Sequence, residues 1–172
     1  MGILISVKEI SRQPGAKEHH AFTRAVQLRE ISQTADVALD IDIMNATSRI
    51  IVKGKLQTAI ELECSRCDEK FSNSIDISLN EQFLPEGSPE LNNKPGQNIT
   101  DLGIFTYKEE EIDLEEAIRQ NIYSSLPMRP MCSEDCRGLC PICGENLNTK
   151  KCNCDSKDID SRMAQFMKFK EE

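Results

Sequence analysis

Apolar residues recur at every second position along much of the chain between residues 35 and 84. From Val37 to Ile43 every odd-numbered residue is aliphatic, and aspartate occupies two of the positions between them. A period of two is typical of a β-strand with one face on a core and the other in water. Three further strand patterns follow after short turns, at 50–52, 56–62 and 71–79. The pattern predicts an antiparallel β region.

Two later stretches have the spacing of amphipathic helices. The first begins at Asp113, with Glu116 as its capping-box partner, and Pro127 ends it. Its apolar face consists of Leu114, Ala117, Ile118, Ile122 and Leu126. The second begins near Asp160, with an apolar stripe of Ile159, Met163, Phe166 and Met167. We interpret both apolar faces as surfaces that pack on a core.

Four other stretches have weaker patterns. Residues 1–6 match a loose myristoylation pattern, but their alternating apolar residues equally indicate a first strand. The apolar spacing over 16–31 is compatible with a helix. Residues 85–101 contain several prolines and glycines and are expected to form a long loop. A short further strand is predicted at 102–107.

The composition is that of a water-soluble protein of ordinary domain size, with 172 residues, 38% apolar and 29% charged. The apolar runs are far shorter than the ~20 residues that span a bilayer, and the amino terminus does not match a secretory signal. We therefore expect a cytoplasmic protein. Eight cysteines in a reducing compartment are more typical of metal binding than of disulfides.

The eight cysteines form four close pairs, with none left over. A pair that is close in sequence can supply two sulfurs to one tetrahedral Zn²⁺, so four pairs predict two four-cysteine zinc sites. We favour one site made of Cys64, Cys67, Cys132 and Cys136. The other site then contains Cys140, Cys143, Cys152 and Cys154.

Other arrangements of the cysteines remain open. The first pair could join Cys140 and Cys143 instead, which leaves the remaining four together. One group alone could bind a metal while the others are free thiols, so that the chain holds one zinc ion rather than two. An iron–sulfur cluster also takes four thiolates, although the spacing of the knuckles is more typical of zinc.

Strands, helices and cysteines together predict an α+β protein. We expect an antiparallel β-sheet or partly open barrel with a few helices and a C-terminal cysteine-rich zinc-knuckle segment. The chain divides into a β-rich domain with one capping helix, residues 1–127, and a cysteine-rich zinc-binding segment with a terminal helix packed on it, residues 128–172.

The cysteine motifs and their flanks resemble those of the YceD family. The resemblance is carried by the sequences LECSRC at 62–67, LPMRPMC at 126–132, CRGLCPICG at 136–144 and NLN at 146–148, by Cys152 and Cys154, and by DSRM at 160–163. Family members usually have proline where Ser161 stands. The resemblance implies a bacterial factor that acts in the synthesis, processing or stability of 23S rRNA. We expect its partner to be a precursor of the large ribosomal subunit, 23S rRNA itself or a basic ribosomal protein.

The net charge of −8 argues against broad attraction to phosphate. Residues 35–127 carry eight Lys or Arg against eighteen Asp or Glu, and this acidic region could face a basic protein. Contact with RNA or a partner is expected at basic residues of the amino-terminal segment or around the knuckles: Lys8, Arg12, Lys17, Arg24, Arg29, Arg66, Arg129, Arg137, Lys150 and Lys151.

Three functions follow from these features. The favoured one is a non-catalytic factor in ribosome assembly or rRNA stability, with structural zinc and no small-molecule substrate. A thiol-based redox or metal sensor is the alternative, and it would need exposed thiols that are not bound to metal. An rRNA-processing hydrolase is the third, but a catalytic zinc normally keeps an open position that four cysteines would close.

Overall fold

The computed structural model describes residues 2–89 and 103–154. The helix predicted after Asp160 and much of the 85–101 loop lie outside these residues. The described elements, in chain order, are β1 (Leu4–Ser6), α1 (Lys8–Ser11), β2 (Lys17–Leu28), β3 (Gln33–Asn45), β4 (Ile50–Glu63), β5 (Lys70–Pro85), β6 (Ile104–Tyr107), β7 (Glu111–Asp113) and α2 (Glu115–Ser125).

Five strands form one sheet in the order β2-β3-β4-β5-β6. The first three are antiparallel, but β5 and β6 run parallel, so the sheet is mixed rather than purely antiparallel. Parallel neighbours need a crossover of roughly a dozen residues or more, and the segment 86–103 provides that length. Over the described residues the strand order does not close into a barrel.

A second, two-stranded sheet pairs β1 with β7. Leu4 lies opposite Asp113 and Ser6 opposite Glu111, in antiparallel register. The strand predicted near the amino terminus and the short strand after residue 102 are thus both confirmed, as β1 and β6.

The helix suggested over residues 16–31 is wrong, because this stretch forms β2. It pairs with β3 along its whole length, from Lys17 opposite Met44 to Leu28 opposite Gln33. Val26 and Leu28, two positions apart, are both buried, which is the spacing of a strand. The continuous ladder with β3 satisfies the backbone of β2, and tertiary pairing thus overrides an ambiguous local pattern.

The core of the sheet follows the alternation seen in the sequence. Val37, Leu39, Ile41 and Ile43 of β3 are buried, and so are the alternate aliphatic residues of β4. On the opposite face of β3, the aspartates are exposed or half-buried, and Asp42 accepts from Lys17 Nζ at 2.9 Å. The prediction of one wet and one packed face is confirmed.

The N-cap residue of helix α2 is Leu114, one position after the predicted Asp113. Asp113 Oδ1 does accept a hydrogen bond, 2.9 Å from the N–H of Glu115, and it also accepts the N–H of Ile3 at 3.2 Å. Glu116, however, bonds to Arg119 and Gln120, one turn further along, instead of closing a capping box. The predicted apolar face is confirmed, with Leu114, Ala117, Ile118 and Ile122 buried.

The chain divides into two compact units. Unit one contains the described residues of Met1–Glu61 and Ser72–Pro127, and unit two contains Leu62–Phe71 with the described residues from Met128 onward. The division expected from sequence kept residues 62–71, the tip of the β4–β5 hairpin, with the β-rich part. Among the described residues, no helix is both long and apolar enough to cross a membrane.

Candidate metal centres

Four cysteine sulfurs converge in unit two at a cluster we call site one. It contains Cys64 and Cys67, between β4 and β5, with Cys132 and Cys136, after α2. All four Sγ atoms lie within 4.8 Å of one another. Cys64 Sγ is 3.8 Å from Cys136 Sγ, and Cys67 Sγ is 3.7 Å from Cys132 Sγ.

These separations fit a tetrahedral metal site. Four sulfurs at about 2.3 Å from a central Zn²⁺ lie about 3.8 Å apart along the tetrahedron's edges. A disulfide would need about 2.05 Å, and all eight cysteines are free. The residues of site one can therefore hold a tetrahedral ion.

The first pair of site one lies on a tight knuckle turn. The N–H of Cys64 donates to the carbonyl of Glu69 at 2.9 Å, and the N–H of Asp68 returns to the carbonyl of Cys64 at 2.9 Å. Asp68 adopts a positive φ of 57° to close the turn. Other N–H groups of the turn donate to sulfur, that of Arg66 to Cys64 and that of Glu69 to Cys67.

A second cluster, site two, has the same turn. It contains Cys140, Cys143, Cys152 and Cys154, whose sulfurs also lie within 4.8 Å of one another. The N–H of Cys140 donates to Glu145 at 2.8 Å, and that of Gly144 donates to Cys140 at 2.9 Å. Gly144, at φ 72°, occupies the position that Asp68 has in the first knuckle.

The electrostatics of each knuckle favour an ionised first cysteine. Backbone N–H groups of Cys132 and Arg66 lower the pKa of Cys64 to about 6. Those of Cys143 and Ile142 lower the pKa of Cys140 to about 6. Hydrogen bonds from N–H to sulfur stabilise the thiolate, which is the form that binds metal.

One other cysteine in each cluster has a strongly raised pKa. The N–H of Glu69 lowers the pKa of Cys67, but desolvation and the three neighbouring cysteines outweigh it and raise the pKa to about 12. Hydrogen bonding to Cys143 and desolvation raise the pKa of Cys154 to about 12. Several negative charges in so small a space repel one another, and a dication is the partner that lets all four sulfurs ionise.

The two clusters differ in exposure. In site one Cys64, Cys67 and Cys136 are buried and only Cys132 is exposed. Phe71 and Leu139 pack against the buried three. In site two Cys140 is buried, Cys143 is exposed, and Cys152 and Cys154 are intermediate. The grouping of the eight sulfurs is the one favoured from the spacing, rather than its alternative.

Two asparagines near the clusters were missed by the sequence analysis. Asn148 donates from Nδ2 to Cys136 Sγ at 3.3 Å, and Asn146 donates to Glu69 of the first knuckle at 2.9 Å. The NLN motif at 146–148 is the sequence signal for both residues. Its contacts depend on the path of the loop, and spacing alone does not give that path.

The ten basic residues proposed as contacts are all exposed. Three of them are engaged within the chain: Lys17 pairs with Asp42 at 2.9 Å, Lys150 with Glu145 at 3.1 Å, and Arg66 donates to the carbonyl of Cys136 at 2.9 Å. Half lie in unit one, and the other half, Arg66, Arg129, Arg137, Lys150 and Lys151, lie in unit two.

Comparison with known proteins gives one family and several relatives. The family profile of the large ribosomal RNA subunit accumulation protein YceD matches residues 52–170. An uncharacterized protein of Mycobacterium tuberculosis is 26% identical over 172 residues, covering 96% of this chain and 80% of the relative. No solved structure matches.

Two plant relatives carry a descriptive name, large ribosomal RNA subunit accumulation protein YCED homolog 1, chloroplastic. The Arabidopsis thaliana protein is 26% identical and the match covers 72% of this chain. The Zea mays protein is 27% identical over the same share. The match spans only 45% and 50% of these two plant proteins. The family profile covers well over half of the chain, including all eight cysteines, and the chain therefore belongs to the YceD family of large ribosomal RNA subunit accumulation proteins.

Proposed function

We propose that this protein is a non-catalytic factor in large ribosomal subunit biogenesis that supports the synthesis, processing or stability of 23S rRNA. Membership of the YceD family is the observation that carries this proposal. The names of the two plant relatives point to the same process.

Zinc is the ion we propose for both clusters. Four thiolates in tetrahedral array and knuckle turns with N–H groups aimed at sulfur are typical of structural zinc. The ion would be held by Cys64, Cys67, Cys132 and Cys136 in site one and by the other four cysteines in site two. Bound there, zinc would supply folding free energy and cross-link the chain, because a structural site forms together with the fold around it.

A non-catalytic role is consistent with this ligand set. Catalytic zinc sites usually have three protein ligands and keep a position for water or substrate. Each cluster here offers four sulfurs, which would complete the shell of the ion. We therefore propose that the metal shapes a binding surface and does not activate a water molecule.

Charge limits how the protein would contact a precursor particle. The described part of unit two has six basic residues and six acidic ones, a net of 6 − 6 = 0. Two Zn(Cys)₄ centres, at −2 each, would bring it to −4. This net charge is unfavourable for broad binding to phosphate. It favours a local contact, in which a few arginines of this protein bind RNA or an acidic surface of this protein binds a basic ribosomal protein.

Deleting the gene in its host tests the proposal. We expect less 23S rRNA and fewer large subunits in sedimentation gradients, and a plasmid copy of the wild-type gene should restore both. A copy carrying Cys64→Ser and Cys136→Ser should not restore them, provided immunoblots show equal expression. Normal 23S rRNA and large-subunit levels in the deletion strain would overturn the proposal.

A further inference from the structure

A hydrogen bond joins the loop of site two to a ligand of site one. Asn148 lies between Cys143 and Cys152, within the stretch that site two would close into a loop. Its Nδ2 nevertheless donates to the Sγ of Cys136, a member of site one, at 3.3 Å. The loop of one centre thus places an amide donor against a sulfur of the other.

The side chain of Asn148 is fixed by further contacts. Its Oδ1 accepts the N–H of Arg137 at 2.7 Å. Its second amide hydrogen goes to Asn146 Oδ1 at 2.9 Å, and its own backbone N–H donates to the same oxygen at 2.9 Å. Both hydrogens of the amide are thus used, and the donor is held toward Cys136 in one orientation.

Asn146 anchors this arrangement to the first knuckle. Its Nδ2 donates to Glu69 Oε1 at 2.9 Å, and its carbonyl accepts the N–H of Thr149 at 3.2 Å and of Lys150 at 3.0 Å. Asn146 therefore spans from the loop of site two to the turn that carries Cys64 and Cys67.

Backbone contacts hold the same two segments together. The N–H of Leu139 donates to the carbonyl of Arg66 at 3.0 Å, and that of Leu147 donates to the carbonyl of Gly138 at 2.9 Å. Gly138 passes so close to the first knuckle that a Cβ on it would lie 3.0 Å from the carbonyl oxygen of Arg66. Leu139 and Asn146, which form an isolated β-bridge on either side of the second knuckle, are thus held against the turn of site one.

An amide hydrogen on a ligand sulfur stabilises the thiolate and orients it toward the metal. Loss of such outer contacts typically lowers metal affinity by about 10- to 100-fold. The contact from Asn148 needs an ordered 143–152 loop, and a metal bound by Cys143 and Cys152 would close that loop and restrain it further. Binding at the two sites is then linked, and linkage of binding free energies is reciprocal.

We propose that Asn148, positioned by Asn146, couples the two centres, so that metal at site two raises the affinity of site one. The proposal rests on the zinc sites of the proposed function. The eight cysteines then bind two metal ions cooperatively and do not form two independent sites. Asn148 is a positioning residue, since it acts on the metal through Cys136.

The test is a chelator titration of the full-length, zinc-loaded protein, read by alkylation and peptide mass spectrometry. Protection of Cys64 and Cys67 reports site one, whereas protection of Cys140 and Cys143 reports site two. We expect Asn148→Ala to lower the zinc affinity of site one by about 10-fold or more. The matched control is Asn153→Ala, at an exposed asparagine between two ligands of site two, and it should leave site one unchanged.

Two further variants separate coupling from simple loss of structure. Asn148→Asp keeps the size of the side chain but places a carboxylate beside the thiolate, so it should lower the affinity of site one more than alanine does. Removing site two with Cys152→Ser and Cys154→Ser should lower the affinity of site one as well. Adding Asn148→Ala to that pair should then cause little further loss, because the contact is already gone.

The possible outcomes distinguish failure of the coupling from failure of the zinc sites. Wild-type protein that holds two zinc ions, with site-one affinity unchanged in Asn148→Ala and in the Cys152/Cys154 variant, would overturn the coupling and leave the zinc sites intact. Wild-type protein that holds no zinc would overturn both. Equal loss in Asn148→Ala and Asn153→Ala would also contradict the assigned role of Asn148.

Discussion

Site one and site two have the same four-thiolate chemistry and the same knuckle turn, yet they join very different lengths of chain. Cys67 and Cys132, in contact at site one, are 65 residues apart, whereas all of site two lies within 140–154. Site one is also the more buried of the two. Two clusters of four cysteines can therefore have different structural tasks, one joining distant segments and the other closing a local loop.

The difference in loop length has an energetic consequence. Each doubling of a closed loop costs about 0.6 kcal/mol more in chain entropy, so a metal at site one restrains the unfolded chain more than a metal at site two. Site one fastens the tip of the β4–β5 hairpin to the segment that follows α2. Site two closes a local ribbon. We expect the two sites to differ in the damage that their loss causes.

The largest effect is expected from Cys64→Ser with Cys136→Ser. Structural zinc sites contribute on the order of 10 kcal/mol of binding free energy, so this variant should lose one zinc and the ordered structure of unit two. Hydrogen exchange checks this, because the amides of Cys64 and Asp68 are hydrogen-bonded in the first knuckle and should lose protection.

The matched control is Cys152→Ser with Cys154→Ser. It should also lose one zinc but keep the first knuckle protected at saturating zinc. Equal loss of hydrogen-exchange protection in the two variants would show that the two sites do not differ in their effect on the first knuckle.

A second effect concerns the reactivity of the thiols. Each site has one exposed cysteine, but the other three are buried in site one, whereas Cys152 and Cys154 of site two are half-buried. Access controls the oxidation and alkylation of cysteine. We expect mild peroxide to modify site two several-fold faster than site one, as read by mass spectrometry of the two sets of peptides. Faster modification of Cys64 and Cys67 would reverse the predicted order.

A smaller effect is expected at two glycines with nearly the same backbone angle. Gly138 and Gly144 have φ of 73° and 72°, but only a Cβ at Gly138 would meet backbone, at Arg66, within 3.0 Å. Gly144→Ala should destabilise unit two by about 1 kcal/mol through the left-handed conformation alone. Gly138→Ala should lower the free energy of unfolding of unit two by more than this. The urea dependence of amide protection in unit two measures both effects. Equal costs would argue against close packing of Gly138 on the first knuckle.

The smallest effect lies in unit one, away from the cysteines. Hydrogen bonds from Lys17 and His19 lower the pKa of Asp42 below its ordinary 3.8. A carboxyl with a lowered pKa contributes stability above its unfolded pKa and loses it as the pH falls through the folded pKa. Titration of Asp42 by NMR should give a midpoint below 3.8, and Lys17→Ala should raise it. An unchanged midpoint in that variant would show that the pair is not formed in solution.

Local patterns predicted the parts of the molecule that depend on local chemistry. The alternation in β3 follows from burial of one face, and the cysteine pairs follow from the need to bring two sulfurs to one point. Their grouping into two clusters could be favoured from spacing because one set is contiguous. The positive φ of Gly144 in the second knuckle is also a local feature, because glycine adopts this conformation without steric cost.

Features set by distant parts of the chain were not predicted. The helix suggested over 16–31 was wrong because pairing with β3 decides the state of β2. The parallel pairing of β5 with β6 depends on the course of the segment between them. The capping box expected at Asp113 does not form, because Glu116 bonds to Arg119 and Gln120. Asp113 instead accepts the N–H of Ile3, which is 110 residues away. The bond from Asn148 to Cys136 depends on how the loop folds back on the first knuckle.

Native mass spectrometry of the full chain can decide whether the eight cysteines form two four-thiolate zinc sites. Protein purified without chelator should carry two zinc ions, and its cysteines should resist alkylation until a strong chelator removes the metal. A chain that carries no zinc while most of its cysteines react without chelation would rule out the two zinc sites and favour a thiol-based sensor.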